Sequence, residues 1–155
     1  MFRVVGEPLD MRQALEAVRG PGRGAVATFA GTVRDHHLGR RVVRLEYHAY
    51  AAMAEQVMME IGESLSRQYG EVRVAMLHRV GVLTIGEISV IVAVAAPHRR
   101  EALAACAQGI DRLKAEAPIW KKEFYTDGSA WIEEPSGRGP AAHEPVPPLL
   151  PEKSG

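Results

Sequence analysis

The chain has 155 residues, enough for one domain with its own hydrophobic core, and its 46% hydrophobic and 25% charged composition is that of a globular protein. Lys plus Arg and Asp plus Glu number 19 each, which argues against a general nucleic-acid or membrane-surface binder; any anion site must come from local clustering. A single cysteine, Cys106, excludes an intramolecular disulfide and a cysteine-built zinc cluster, and points to a reducing, cytoplasmic setting.

The first residues lack the apolar region of a signal peptide. Phe2 to Val5 reads as a short strand. Asp10 is placed to cap a helix from Met11 to Arg19, with Leu15 and Val18 on one face. Gly20-Pro21-Gly22-Arg23-Gly24 turns the chain. Ala25 to Val33, rich in small and β-branched residues, reads as a buried strand. Arg34 to Arg40 is a polar loop containing His36 and His37. From Val42 to Tyr50 the residues alternate, with Val43, Leu45 and Tyr47 on one side and Arg44, Glu46 and His48 on the other, as in a half-buried strand.

Ala51 to Tyr69 is an amphipathic helix carrying Ala54, Val57, Met58, Ile61 and Leu65 at helical spacing, and Gly70 ends it. Val72 to Val80 is a strand, and Gly81 to Glu87 is a turn or short hairpin. Ile88 to Ala96 is an apolar strand suited to the middle of a sheet and far too short to span a bilayer. Pro97 precedes a helix from His98 to Glu116 whose inner face is expected to hold Leu103, Cys106, Ile110 and Leu113. Ala117-Pro118 breaks it. Ile119 to Tyr125 is a strand, Asp127-Gly128 a turn, and Ala130 to Glu133 a last short strand.

This order implies an α+β fold with a mainly antiparallel sheet and helices on one face. Residues 1–134 form the folded domain. Residues 135–155 carry Pro135, Pro140, Pro145, Pro147, Pro148 and Pro151 with almost no periodicity, the composition of an extended or disordered tail.

The residues with chemical potential cluster late in the chain. His98-Arg99-Arg100 opens a helix, where free N–H groups and the dipole favour an anion and arginine adds a forked donor for phosphate; a solvated helix start is the alternative. Lys114 sits beside the apolar stripe near the other end of that helix. It is either a partly desolvated amine at a pocket edge, able to act as nucleophile or proton carrier, or a snorkelling lysine favoured by the dipole. Lys121 and Glu123 share one face of the following strand, and either pair with each other or line a polar pocket. Arg34, His36 and His37 follow a strand, a common place for binding residues. Adjacent histidines diverge, so no metal site is expected. His78 reads as a structural polar group. Cys106 lies in an apolar stripe, where a thiol is inert.

Several short runs occur together: Phe29-Ala30-Gly31-Thr32-Val33-Arg34, Leu45-Glu46-Tyr47, His78-Arg79-Val80-Gly81, Ile85-Gly86-Glu87, His98-Arg99, Asp111-Arg112-Leu113-Lys114 and Pro118-Ile119-Trp120-Lys121-Lys122-Glu123. In this order and spacing the chain resembles the large, catalytic subunit of molybdopterin synthase, the MoaE family, from about Ala25 to Glu133. The resemblance implies an α/β-hammerhead fold and a sulfurtransferase. Its substrate would be cyclic pyranopterin monophosphate, or precursor Z. Its partner would be a ubiquitin-like small subunit of the MoaD type ending in a Gly-Gly thiocarboxylate, which delivers the two sulfurs of the molybdopterin dithiolene. The assembly implied is a homodimer of large subunits within a heterotetramer, with no resident cofactor. By resemblance Lys114 and Lys121 are the catalytic lysines, and Arg34, His98, Arg99 and Glu123 bind substrate. Family members often place an arginine after the last strand that reaches the other protomer; here Pro135 stands close by and Arg138 is the nearest arginine.

The competing reading is a non-catalytic α+β module that binds a phosphate ligand or a ubiquitin-like tail. Binding alone does not require the Lys114 and Lys121 pair. RNA binding is disfavoured by net charge and by the lack of aromatic residues alternating with basic ones on a strand.

Overall fold

The computed structural model describes residues 1–132. The elements run β1 (Phe2–Val5), α1 (Met11–Val18), β2 (Ala25–Thr32), β3 (His36–His37), β4 (Arg40–Ala49), α2 (Ala51–Tyr69), β5 (Arg73–Arg79), β6 (Gly81–Thr84), β7 (Ile88–Ala96), α3 (Arg99–Glu116), β8 (Ile119–Tyr125) and β9 (Gly128–Ile132). Glu133, Arg138 and the proline-rich stretch lie outside the described residues. No helix among those residues is long and apolar enough to cross a membrane.

The strands form two sheets rather than one. The first has the order β1-β5-β7-β2, with β1 parallel to β5 and the other pairs antiparallel. In the second, β4 pairs with β8 and β8 with β9, while β3 and β6 also pair with β4. The fold is α+β and mainly antiparallel, as expected.

The helices cover both faces of the first sheet, which corrects the one-face expectation. Strand β7 shows why. Val90, Val92, Val94 and Ala96 face a core shared with α2 and α3, including Met58, Ile61, Leu65, Ile110 and Leu113. Ile91, Ala93 and Ala95 face a second core with Ala14 and Val18 of α1. An uninterrupted apolar strand results from burial on both sides. Alanines at 75, 93 and 95 let the short helix α1 approach closely, and the Asp10 side chain accepts the Arg12 N–H at its start.

Three burial expectations fail. Strand β2 is an edge strand, so Val26 and Phe29 stay substantially exposed. Leu103 is 62% exposed, and the inner face of α3 is made instead by Ala102, Ala105, Cys106, Gly109, Ile110 and Leu113. Strand β4 shifts register between Val42 and Arg44. That bulge turns Val43 outward and buries Val42 with Leu45, which breaks the simple alternation.

Gly24 sets how closely the β2 edge approaches the start of α3: a Cβ there would lie 2.6 Å from the Pro97 carbonyl oxygen. Because the obstacle is backbone, Gly24→Ala is expected to destabilise the fold by about 1–3 kcal/mol. Urea unfolding would show this as a lower midpoint at unchanged slope.

Candidate active site

A cleft of about 150 Å³ opens where the two sheets meet the C-terminal end of α3. Phe29, Gly31 and Thr32 come from β2, with Arg34 beyond it and His36 from β3. Strand β4 contributes Leu45 and Tyr47, and β5 and β7 contribute His78, Ser89 and Val90. Leu113 and Lys114 enter from the last turn of α3, and Lys121 and Glu123 from β8.

Local structure explains the two lysines. The Ala117 N–H closes α3 on the Leu113 carbonyl at 3.0 Å, and Pro118 then forces extended chain. The Pro118 carbonyl accepts the Tyr50 N–H, which ties the start of β8 to the start of α2. This short connection brings Lys114 and Lys121 to one cleft. Lys121 stands opposite Tyr47 on β4 and Ile132 on β9. Lys122 points the other way, toward the Phe124 and Trp131 rings, as the two-residue strand period requires.

Glu123 is 4% exposed and anchors a small network. Its Oε2 accepts the Tyr125 hydroxyl at 2.7 Å and is paired with His37 Nδ1 at 2.9 Å. The Glu123 carboxylate raises the Tyr125 pKa above the ordinary phenol value, chiefly through that hydrogen bond, so the hydroxyl stays a donor. Beside it the Arg40 guanidinium lies 3.6 Å from the Tyr125 ring centroid and bonds Asp127 at 2.8 Å. The β3–β4 hairpin is thereby clamped to the β8–β9 hairpin, and this clamp positions Arg34 and His36 at the rim.

On the opposite wall, His78 donates Nδ1–H to the Arg79 carbonyl at 2.9 Å. Its ring meets Tyr47 edge-on, with centroids 5.0 Å apart. Burial is the main cause of a His78 pKa lowered to about 4; the Arg79 carbonyl opposes that shift and the Lys114 charge adds to it. The imidazole is therefore neutral near pH 7. Below it, Glu87 bonds Arg79 at 2.9 Å and accepts the Thr84 N–H at 2.6 Å. The Thr84 N–H, and then Arg79, hold the Glu87 carboxyl below its usual pKa.

The cleft gathers Arg34, Lys114, Lys121 and Glu123. It does not gather His98 and Arg99, which sit exposed at the first turn of α3 beside Glu101. At 1.5 Å per residue, Arg99 and Lys114 are separated by about 22 Å along the helix. One small substrate cannot touch both ends within a single chain. Tyr47 and His78 were not singled out as cleft residues from sequence, although both lie in the runs that carry the family resemblance. Cys106 is buried between α3 and β7, where its thiol contacts the Val92 carbonyl and burial raises its pKa. Among the described residues, no group of three or more His, Cys, Asp and Glu side chains could hold a metal ion.

A closed α+β scaffold presenting two lysines, an arginine and a buried carboxylate to one cleft defines a small-molecule enzyme site better than a flat docking face. Known proteins resemble the chain in sequence and fold. The family model described as MoaE protein matches residues 4–116. A molybdopterin synthase catalytic subunit from Halalkalibacterium halodurans is 40% identical over 131 residues, covering 84% of each chain. The crystal structure of molybdopterin synthase from Staphylococcus aureus superposes with a TM-score of 0.84 at 38% identity, covering 86% of this chain and 97% of that one. A complex of subunits 1 and 2 of molybdopterin-converting factor from Helicobacter pylori shares the fold, with a TM-score of 0.69 at 23% identity, over 87% of this chain and 92% of that one. The chain belongs to the MoaE family.

Proposed function

We infer that the chain is the catalytic subunit of a molybdopterin synthase and works in molybdenum cofactor biosynthesis. The observation that carries this reading is the convergence of Lys114 and Lys121, from the end of one helix and the strand after it, on one cleft with Arg34. The reaction is sulfur transfer from the thiocarboxylated Gly-Gly end of a MoaD-type small subunit to precursor Z. The relatives' names and the two-subunit Helicobacter complex support such a partner.

In this reading Arg34 binds the cyclic phosphate through its forked donors. Lys114 meets the acyl terminus of the partner and handles acyl or proton transfer, while Lys121 stabilises negative charge as the phosphate ring opens. The sulfur arrives on the partner, because the buried Cys106 is unsuited to carry it. His98 and Arg99 contribute to phosphate binding from a second copy of the chain, which suits a homodimer within a heterotetramer and the about 22 Å between the ends of α3.

Reconstitution tests the reading: purified protein, thiocarboxylated small subunit and precursor Z should yield molybdopterin, detected as its fluorescent oxidation product. A stable complex that forms no product would instead favour a non-catalytic binding module. Glu123 is a positioning residue for this cleft. Glu123→Gln weakens the hold on His37 and Tyr125 and is expected to lower turnover about tenfold or more while the fold survives. Unchanged turnover with an unchanged melting temperature would remove Glu123 from the machinery.

A further inference from the structure

His78 is a buried titratable group that the sulfur-transfer scheme leaves without a task. It is 5% exposed, yet it forms part of the cleft wall. Its Nδ1 faces a backbone carbonyl, which can only accept, so Nδ1 carries the ring proton. In the neutral ring Nε2 is then a bare lone pair. Tyr47 fixes the ring plane from β4. The charged groups around the same cleft are Lys114 on α3, Lys121 and Glu123 on β8, and Arg34. Of these, the Lys114 ammonium is the one whose charge acts on His78.

A histidine kept only for packing needs neither a fixed tautomer nor a place in a cleft wall beside a cation. We propose that His78 is a positioning residue for Lys114: its Nε2 accepts an N–H of the Lys114 side chain and holds that amine at the working position in the cleft. The role assigned to Lys114 rests on the synthase reading above; the contact itself does not. A neutral acceptor is suited to this task because it orients the ammonium without neutralising it, as a carboxylate would. It also leaves the cleft positive for an anionic substrate. Tyr47 and the Arg79 carbonyl support the ring in turn, much as outer groups orient a ligating histidine.

Two measurements test this. The first is the imidazole ¹⁵N spectrum of the intact protein, in wild type and in Lys114→Met. The expected result is a neutral Nδ1–H tautomer for His78 whose Nε2 resonance moves when the lysine is replaced. An Nε2 resonance indifferent to Lys114→Met would overturn the proposal. The second is reconstituted turnover. His78→Leu should lower kcat about 10- to 100-fold, as misplacing a reacting group by about an ångström does, with KM for precursor Z nearly unchanged. His78→Gln, whose side-chain oxygen replaces the Nε2 acceptor, should recover much of the loss. Full kcat in a folded His78→Leu variant would sink the idea. If the wild type made no molybdopterin while the ¹⁵N coupling was present, the synthase reading would fall and the His78–Lys114 contact would stand.

Discussion

Lys114→Ala is expected to cut molybdopterin formation by about 10²- to 10⁴-fold, the range for removing a group that acts on the reacting atoms. The fold should survive. Lys114 occupies the last turn of α3, whose buried face is carried by Ala102, Ala105, Cys106, Gly109, Ile110 and Leu113. Removing the amine leaves that packing intact, and the loss of a favourable interaction with the helix dipole is modest. Lys121→Ala should fall in the same range. The double variant should be little worse than either single one, because residues that act as one unit are strongly non-additive. Turnover with purified thiocarboxylated partner measures all three. Retention of most activity in Lys114→Ala would refute its catalytic assignment, and partner binding measured in parallel would separate lost chemistry from lost assembly.

The second large effect is on stability against pH. His78 has an ordinary pKa of 6.5 and is lowered to about 4 in the fold, mainly by burial. Between those values the unfolded chain binds a proton that the folded chain refuses, so stability rises with pH across the window. The stabilisation is fully present above about pH 6.5 and is lost as pH falls toward 4. At roughly 1.4 kcal/mol per pH unit, the loss attributable to this one residue is about 3 kcal/mol. Asp35, Glu87 and Asp127 also have lowered pKa values and destabilise on acidification, but in a more acid window, and the Asp35 and Asp127 pairs are exposed, where such pairs contribute little. Urea unfolding from pH 7 to pH 4 should therefore show a steep loss in wild type and a flatter one in His78→Gln. Equal slopes would mean that the ring is not buried neutral.

Both predictions concern one cleft, and the sequence revealed its parts unevenly. Lys114, Lys121 and Glu123 were legible because helix and strand periods place them on defined faces, Arg34 because it follows a strand, and all four because they lie in runs that carry the family resemblance. The pairing of His37 with Glu123 was not, since the two are 86 positions apart and no local pattern reports such a pair. His78 was taken for structural because its wall position and surroundings depend on Tyr47 and Lys114, which two other segments supply. His98 and Arg99 were grouped with Lys114 by sharing a helix, yet helix length holds them about 22 Å from it.

Local chemistry determined the elements themselves. The α2 helix runs from Ala51 to Tyr69 and β8 from Ile119 to Tyr125, as periodicity and the breakers Gly70 and Pro118 dictate. Residue pattern also marked β7 as a central strand, because only burial on both faces explains nine residues with so little polarity. Tertiary structure alone decided what covers each face. A period says which side chains share a side, but not whether a helix, a second sheet or solvent lies against it. That is why α1 crosses to the opposite face, why β2 and Leu103 remain exposed, and why the β4 bulge reverses Val42 and Val43. The cleft is a product of the same long-range choice: two sheets with separate cores meet the end of α3, and only their meeting sets two lysines beside a neutral histidine.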